Sequence, residues 1–121
     1  MPSSNNPIVY KKDYKFEIGK SITLNEGKDV TIFCAGSMVY KSLEASKILE
    51  KENISCKVVN MHTVKPIDKK AIEQSCDSKL IVSVEEHNII GGLGSAIAEY
   101  KSSLSKSPKQ LFLGVKDTYS K

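Results

Sequence analysis

The sequence predicts an α/β fold: three layers, α/β/α, around a mostly parallel five-stranded sheet with one antiparallel edge strand. Three observations predict it. Val30-Thr31-Ile32-Phe33-Cys34-Ala35 and Lys79-Leu80-Ile81-Val82-Ser83-Val84 are largely continuous β-branched and apolar runs, the pattern of strands covered on both faces. Stretches with helical spacing fall between such runs, in the order strand, three strand–helix repeats, strand. Right-handed crossovers then place the helices on both faces of the sheet.

The elements follow in order. Residues 1–15 are polar, carry two prolines and three lysines, and read as a lead-in; the domain proper is expected over 16–121. Phe16, Ile18, Ile22 and Leu24 alternate loosely, as a short edge strand does, and Asn25-Glu26-Gly27-Lys28 is a turn by composition. After the strand at 30–35, Ser37 is placed to cap a helix whose apolar face is Val39, Leu43, Ala45, Ile48 and Leu49. Tyr40, Glu44, Lys47 and Lys51 lie opposite, and Asn53 ends the helix. Cys56 to Asn60 is a second strand. Lys65-Pro66-Ile67-Asp68 opens the next helix, with Asp68 as cap and Ile67 stapled to Ile72, running to about Cys76. The strand at 79–84 leads into a loop from Glu85 to Gly94, a helix from Ser95 to about Leu104, and a last strand from Gln110 to Val115.

Composition narrows the function. The 121 residues suit one domain and bury about 65% of the unfolded surface, enough for a core without disulfides or metals. No apolar run approaches the ~20 residues of a membrane span, and the polar start Met-Pro-Ser-Ser-Asn-Asn-Pro is no secretory signal. A cytoplasmic location is expected. The net charge of +4 comes from 18 lysines and 14 interspersed acids, with no arginine and few aromatic residues. Nucleic-acid binding is therefore disfavoured, because the bidentate guanine contact and the stacking platform are both missing. Cys34, Cys56 and Cys76 lack C-x-x-C spacing and read as small buried hydrophobes in a reducing compartment.

In an open parallel sheet, ligands bind beyond the carboxyl ends of the strands. Three loops emerge there: Ala35-Gly36-Ser37, Asn60 to Lys65, and Glu85 to Gly94. The first holds one glycine rather than the three of a dinucleotide fingerprint, so a tight turn is the plainer reading. The third is distinctive. Glu85, Glu86 and His87 suggest acid–base or metal chemistry, and Gly91, Gly92 and Gly94 allow a sharp turn with exposed amides. Neighbours in a strand point to opposite faces, however, and a lone Glu-Glu-His lacks metalloprotease spacing. These six residues are taken as interface or loop candidates within a buried polar network.

Together with Lys65-Pro66-Ile67-Asp68, the run from Val84 through Glu85-Glu86-His87-Asn88-Ile89-Ile90-Gly91-Gly92-Leu93-Gly94 to Ala96 resembles the carboxy-terminal domain of transketolase. Phe16 to Lys20, Asp29 to Val39 and Gly114 to Tyr119 match the same family in the same order, so the resemblance covers roughly residues 16–119. Deoxyxylulose-phosphate synthases and the beta subunits of thiamine-dependent 2-oxoacid dehydrogenases share the domain. The resemblance implies a parent enzyme that transfers a two-carbon ketol unit between sugar phosphates. It also implies that thiamine diphosphate and Mg2+ sit between a pyrimidine-binding and a diphosphate-binding domain, the partners of this one. No residue here inherits a catalytic, cofactor-binding or metal role, since the Gly-Asp-Gly metal motif is absent and no arginine can grip a phosphate. The chain alone is expected to be inactive and to serve assembly, with a homo-oligomer, such as a dimer, expected. The family usually continues past the position of Tyr119 with another helix, so the last strand is expected to be less covered. A stand-alone nucleotide- or anion-binding module, using the carboxyl-end loops, is the alternative. A pure interaction subunit that joins catalytic chains is a third.

Overall fold

Among the described residues five strands form one sheet in the order β1-β3-β2-β4-β5. They are β1 (Ile22–Asn25), β2 (Val30–Cys34), β3 (Cys56–Asn60), β4 (Leu80–Glu86) and β5 (Lys109–Val115). Only β1 runs antiparallel, against β3; the other neighbouring pairs are parallel. The helices are α1 (Met38–Lys51), α2 (Lys69–Ser75) and α3 (Gly92–Lys101). The computed structural model describes residues 20–61, 67–86 and 92–116. Phe16, Ile18, Lys65 and Pro66, named above, lie outside them.

The continuous runs occupy the centre of the sheet, where both faces need apolar cover. On one face Ile32, Cys34, Val58, Val82 and Val84 pack with Met38 and Val39 of α1. On the other, Phe33, Val59 and Ile81 pack with Ile72 of α2 and with Leu93 and Ile97 of α3. Burying a side chain such as the fully enclosed Phe33 contributes about 2–3 kcal/mol. At the amino ends of the strands, Asp29 ties the β2 and β3 entries together. Its carboxylate accepts the Ser55 amide at 2.8 Å, while its own amide donates to the Ser55 carbonyl at 3.0 Å. Gly27 sits against the same corner, where a Cβ would stand 2.3–2.6 Å from the Cys56 backbone.

Three expectations change. Ser37 stands at the α1 N-cap position in a helical conformation, and its side chain makes no capping bond. The turn is made instead by Gly36 at φ +60°, with Met38 and Val39 donating their amides to the Ala35 and Gly36 carbonyls. The buried face of α1 is also rotated from the expected one. Met38, Val39, Ser42 and Ser46 face the sheet, Leu43 and Leu49 are half-buried, and Ala45 and Ile48 are exposed. Ser46 is tolerated there because its hydroxyl bonds back to the Leu43 carbonyl, whereas the buried Ser42 hydroxyl has no hydrogen-bond partner among the described residues. Small side chains also let the helix come close to the sheet. Finally, β4 extends through Glu86 and α3 begins at Gly92, so Glu85 and Glu86 belong to a strand, and Gly92 and Gly94 to a helix.

Two further helix ends are set by the residue placed there. Asp68 caps α2 by accepting the Ala71 amide, and Ile67 joins the same apolar cluster as Ile72. Asn53 at φ 66° closes α1, its amide bonding the Glu50 carbonyl and the Ile54 amide the Leu49 carbonyl. That is a Schellman ending with asparagine in the left-handed position.

Candidate functional site

From β2 the chain crosses first to β3 on one side and then to β4 on the other, so the order reverses between β2 and β4. The crevice beyond their carboxyl ends is where an open α/β sheet offers a ligand position. It is bordered by the Ala35-Gly36-Ser37 turn, by the end of β4 and by the first turn of α3. Of the six candidate residues, Glu85, Glu86, Gly92 and Gly94 are described; His87 and Gly91 lie outside the described residues.

Glu85 organises this end of the domain. Strand alternation sends it to the α3 side of the sheet, where it is 6% exposed. The Leu93 amide donates to Glu85 Oε1 at 2.8 Å and the Gly94 amide to Oε2 at 3.0 Å. Both are first-turn amides of α3, which have no acceptor within the helix. A carboxylate there also meets the positive end of the helix dipole. Glu86 follows Glu85 on the strand and therefore points to the α1 face. Beside Val115 in the sheet, it is only half-buried. The two adjacent acids do not share a site.

Gly94 is the second anchor. A Cβ there would stand 2.5 and 2.6 Å from the Phe112 ring and 2.8 Å from Ser83 Oγ. Only a residue without a side chain lets α3 lie this close to β4 and β5. Gln110 completes the joint from β5, its amide nitrogen donating to the Gly94 carbonyl at 3.0 Å and to Ser83 Oγ at 3.3 Å. Neither Gln110 nor Phe112 stood out in the sequence. The one available signal was that, in a parallel pairing, the Gln110–Leu113 strand would run beside Ser83.

The chemistry of the crevice follows. The α3 amides at 93 and 94 are already bonded to Glu85, so an incoming anion would have to displace a buried carboxylate. The first amides of α1 are bonded inside the Gly36 turn, which makes that loop a turn rather than a phosphate cradle. Burial pushes the Cys34 thiol up to about 11, with the Ser42 hydroxyl opposing it in part. Burial likewise raises Cys56 and Cys76, so all three are poor nucleophiles at neutral pH. Among the described residues no group of three or more His, Cys, Asp or Glu comes together to hold a metal ion.

Fold and site together define an open α/β domain in which a strand glutamate at the carboxyl end of the sheet is bonded to the first amides of α3. The chain belongs to the transketolase C-terminal domain family, whose model matches residues 19–121. It is similar to a transketolase C-terminal section of Methanocaldococcus jannaschii, 41% identical over 121 residues, spanning 98% of this chain and 38% of that protein. A subunit of the apulose-4-phosphate transketolase of Phocaeicola vulgatus is 37% identical over 114 residues, with 92% and 36% of the two chains covered. A 1-deoxy-D-xylulose-5-phosphate synthase of Dictyoglomus thermophilum is 40% identical over 98% of this chain and 20% of its own length. Among solved structures, a split-gene transketolase described as an inactive beta4 tetramer superposes with a TM-score of 0.82. It is 43% identical, with 93% of this chain and 38% of that one covered. The chain thus spans little more than a third, or less, of the relatives it matches.

Proposed function

We propose that this chain is the carboxy-terminal part of a thiamine diphosphate-dependent transferase that moves a two-carbon ketol unit between sugar phosphates. In that assembly it packs and joins the catalytic domains and supplies no reacting group. The observation that carries the reading is the Glu85 clamp: the buried carboxylate at the crevice is committed to holding α3 in place. The similarity to transketolase sections and subunits supports the ketol-transfer chemistry. A parent that makes deoxyxylulose phosphate is the second reading, favoured by a synthase 40% identical to this chain.

Thiamine diphosphate with Mg2+ would supply the carbanion chemistry of either parent. The described residues do not fit such a group, since their carboxylates are dispersed and Glu85 is engaged with amides. On this reading the cofactor belongs to the pyrimidine- and diphosphate-binding domains, and the protein works in the cytoplasm. Self-association through this domain is part of the proposal, in line with the description of the split-gene relative as a tetramer of its beta chain.

The test is reconstitution. The pure chain, given ketose phosphate donor, aldose phosphate acceptor, thiamine diphosphate and magnesium, gives no turnover. Adding the chain that carries the other two domains produces it, and the product separates ketol transfer from deoxyxylulose phosphate synthesis. Turnover by the pure chain refutes the proposal.

A further inference from the structure

Helix α3 turns residues four apart toward the sheet: Leu93, Ile97 and Lys101, the first two in the apolar cluster with Phe33 and Ile81. A leucine would suit the third position, yet it holds a lysine that is only 8% exposed. Lysine is almost never buried unless it is paired. Among the described residues the Lys101 amine makes no hydrogen bond and no ion pair. Nor is it one of the wholly enclosed unbonded polar atoms, so its tip reaches solvent at the end of a covered stem. Helix α2 ends beside it with Cys76, whose buried thiol acts on Lys101 and donates to the Ile72 carbonyl at 3.5 Å. Glu73 and Asp77 act on Cys76, but among the described residues no carboxylate acts on Lys101. Both acids are engaged elsewhere: Glu73 accepts the Tyr100 hydroxyl, and Asp77 lies 3.7 Å from the Lys106 ammonium.

We infer that Lys101 is a covalent attachment site for small aldehydes, its amine condensing with the carbonyl to form an imine. Covered stem and missing counter-charge both favour the neutral amine, which is the form that attacks a carbonyl. Burial lowers the Lys101 pKa from the ordinary 10.5, and the Cys76 thiol opposes this only in part. The nitrogen lone pair forms the N–C bond, and the two amine hydrogens leave with the carbonyl oxygen as one water. No oxidant, reductant or other leaving group enters the step. Acyl transfer makes a further demand, for donors aimed at an oxyanion, and the neighbouring thiol already donates to the Ile72 carbonyl. The narrow opening over a side chain this covered admits a small aldehyde and excludes a bulky one. Lys101 lies about 12 Å along α3 from Leu93, so the site stands apart from the Glu85 clamp at the other end of the helix.

The inference goes beyond the proposed function and does not depend on it. The full chain is incubated with glycolaldehyde near neutral pH, the imine is fixed with cyanoborohydride, and peptide mass spectrometry locates the label. Lys101 is expected to be labelled several-fold faster than Lys47 and Lys106, although both of these are exposed. In urea, where the stem is no longer covered, the preference disappears. The rate at Lys101 also levels off at a lower pH in the folded chain than in the unfolded one, because its folded pKa is the lower. Lys101→Met is expected to unfold at the same urea concentration as the parent chain or a higher one, since a thioether fills the space and needs no counter-charge. Labelling at Lys101 no faster than at Lys47 overturns the inference, as does a preference that survives in urea. A Lys101→Met chain that unfolds at much lower urea overturns it as well, because the ammonium would then be held by a partner and not free to react.

Discussion

Replacing Glu85 with alanine tests the central structural claim, that a strand carboxylate holds α3. The substitution removes two hydrogen bonds, of 2.8 and 3.0 Å, from a site that water barely reaches. Hydrogen bonds to a charged group contribute about 1.5–3 kcal/mol each, and the loss strands two buried amides. Removing the negative charge from the helix N-terminus costs about another 0.5–1 kcal/mol. Contributions of neighbouring groups overlap, so the expected loss is about 3–4 kcal/mol, a large part of the 5–15 kcal/mol typical of a domain. For a chain of this length that lowers the melting temperature by roughly 12–16 °C. Urea and thermal denaturation followed by circular dichroism measure it, with the exposed Glu99→Gln on the same helix as control. Glu85→Gln should fall between, because the amide keeps one acceptor and turns a donor toward a donor. A loss below about 0.5 kcal/mol for Glu85→Ala, the scatter of surface changes, would show that the clamp does not hold the helix.

Other consequences follow from the same geometry. Gly27→Ala drives a Cβ to 2.3 Å from backbone at Cys56, where nothing flexible can yield. A loss of about 3 kcal/mol or more is expected in urea denaturation, the upper end for overpacking. Burial raises Asp68, but the amide and hydroxyl of Ser21 and the Ala71 amide outweigh it, so its carboxyl titrates below the ordinary 3.8. A depressed folded pKa contributes stability above the unfolded value that is lost as pH falls through the folded one. The urea midpoint should therefore decline below about pH 4, and Asp68→Asn should lower it at pH 7 and flatten the decline. The Cys34 thiol, pushed up to about 11, should resist thiol reagents at pH 8 in the native protein and react at once in urea.

Much of this protein is already determined by its residue pattern. Unbroken apolar runs at 30–35 and 79–84 specify central strands, because only a strand covered twice tolerates apolar side chains on both faces. Asp68 and Asn53 mark helix ends because their side chains or backbone angles suit those positions, whatever surrounds them. Period two likewise separates Glu85 from Glu86. Tertiary contact decided the rest. Ser37 reads as a cap until the Gly36 turn satisfies the α1 amides first, and Ile48 reads as core until close approach of Ser42 and Ser46 rotates it outward. Gly94 reads as loop until Phe112, eighteen residues on, proves to occupy the space its side chain would need. The position of β5 is a matter of strand order, which no local pattern encodes: among the described residues it pairs with β4 alone, and its leucines, with the composition of a buried strand, stand at the edge. Local chemistry specifies elements and their ends, whereas burial depends on which neighbours the topology brings alongside.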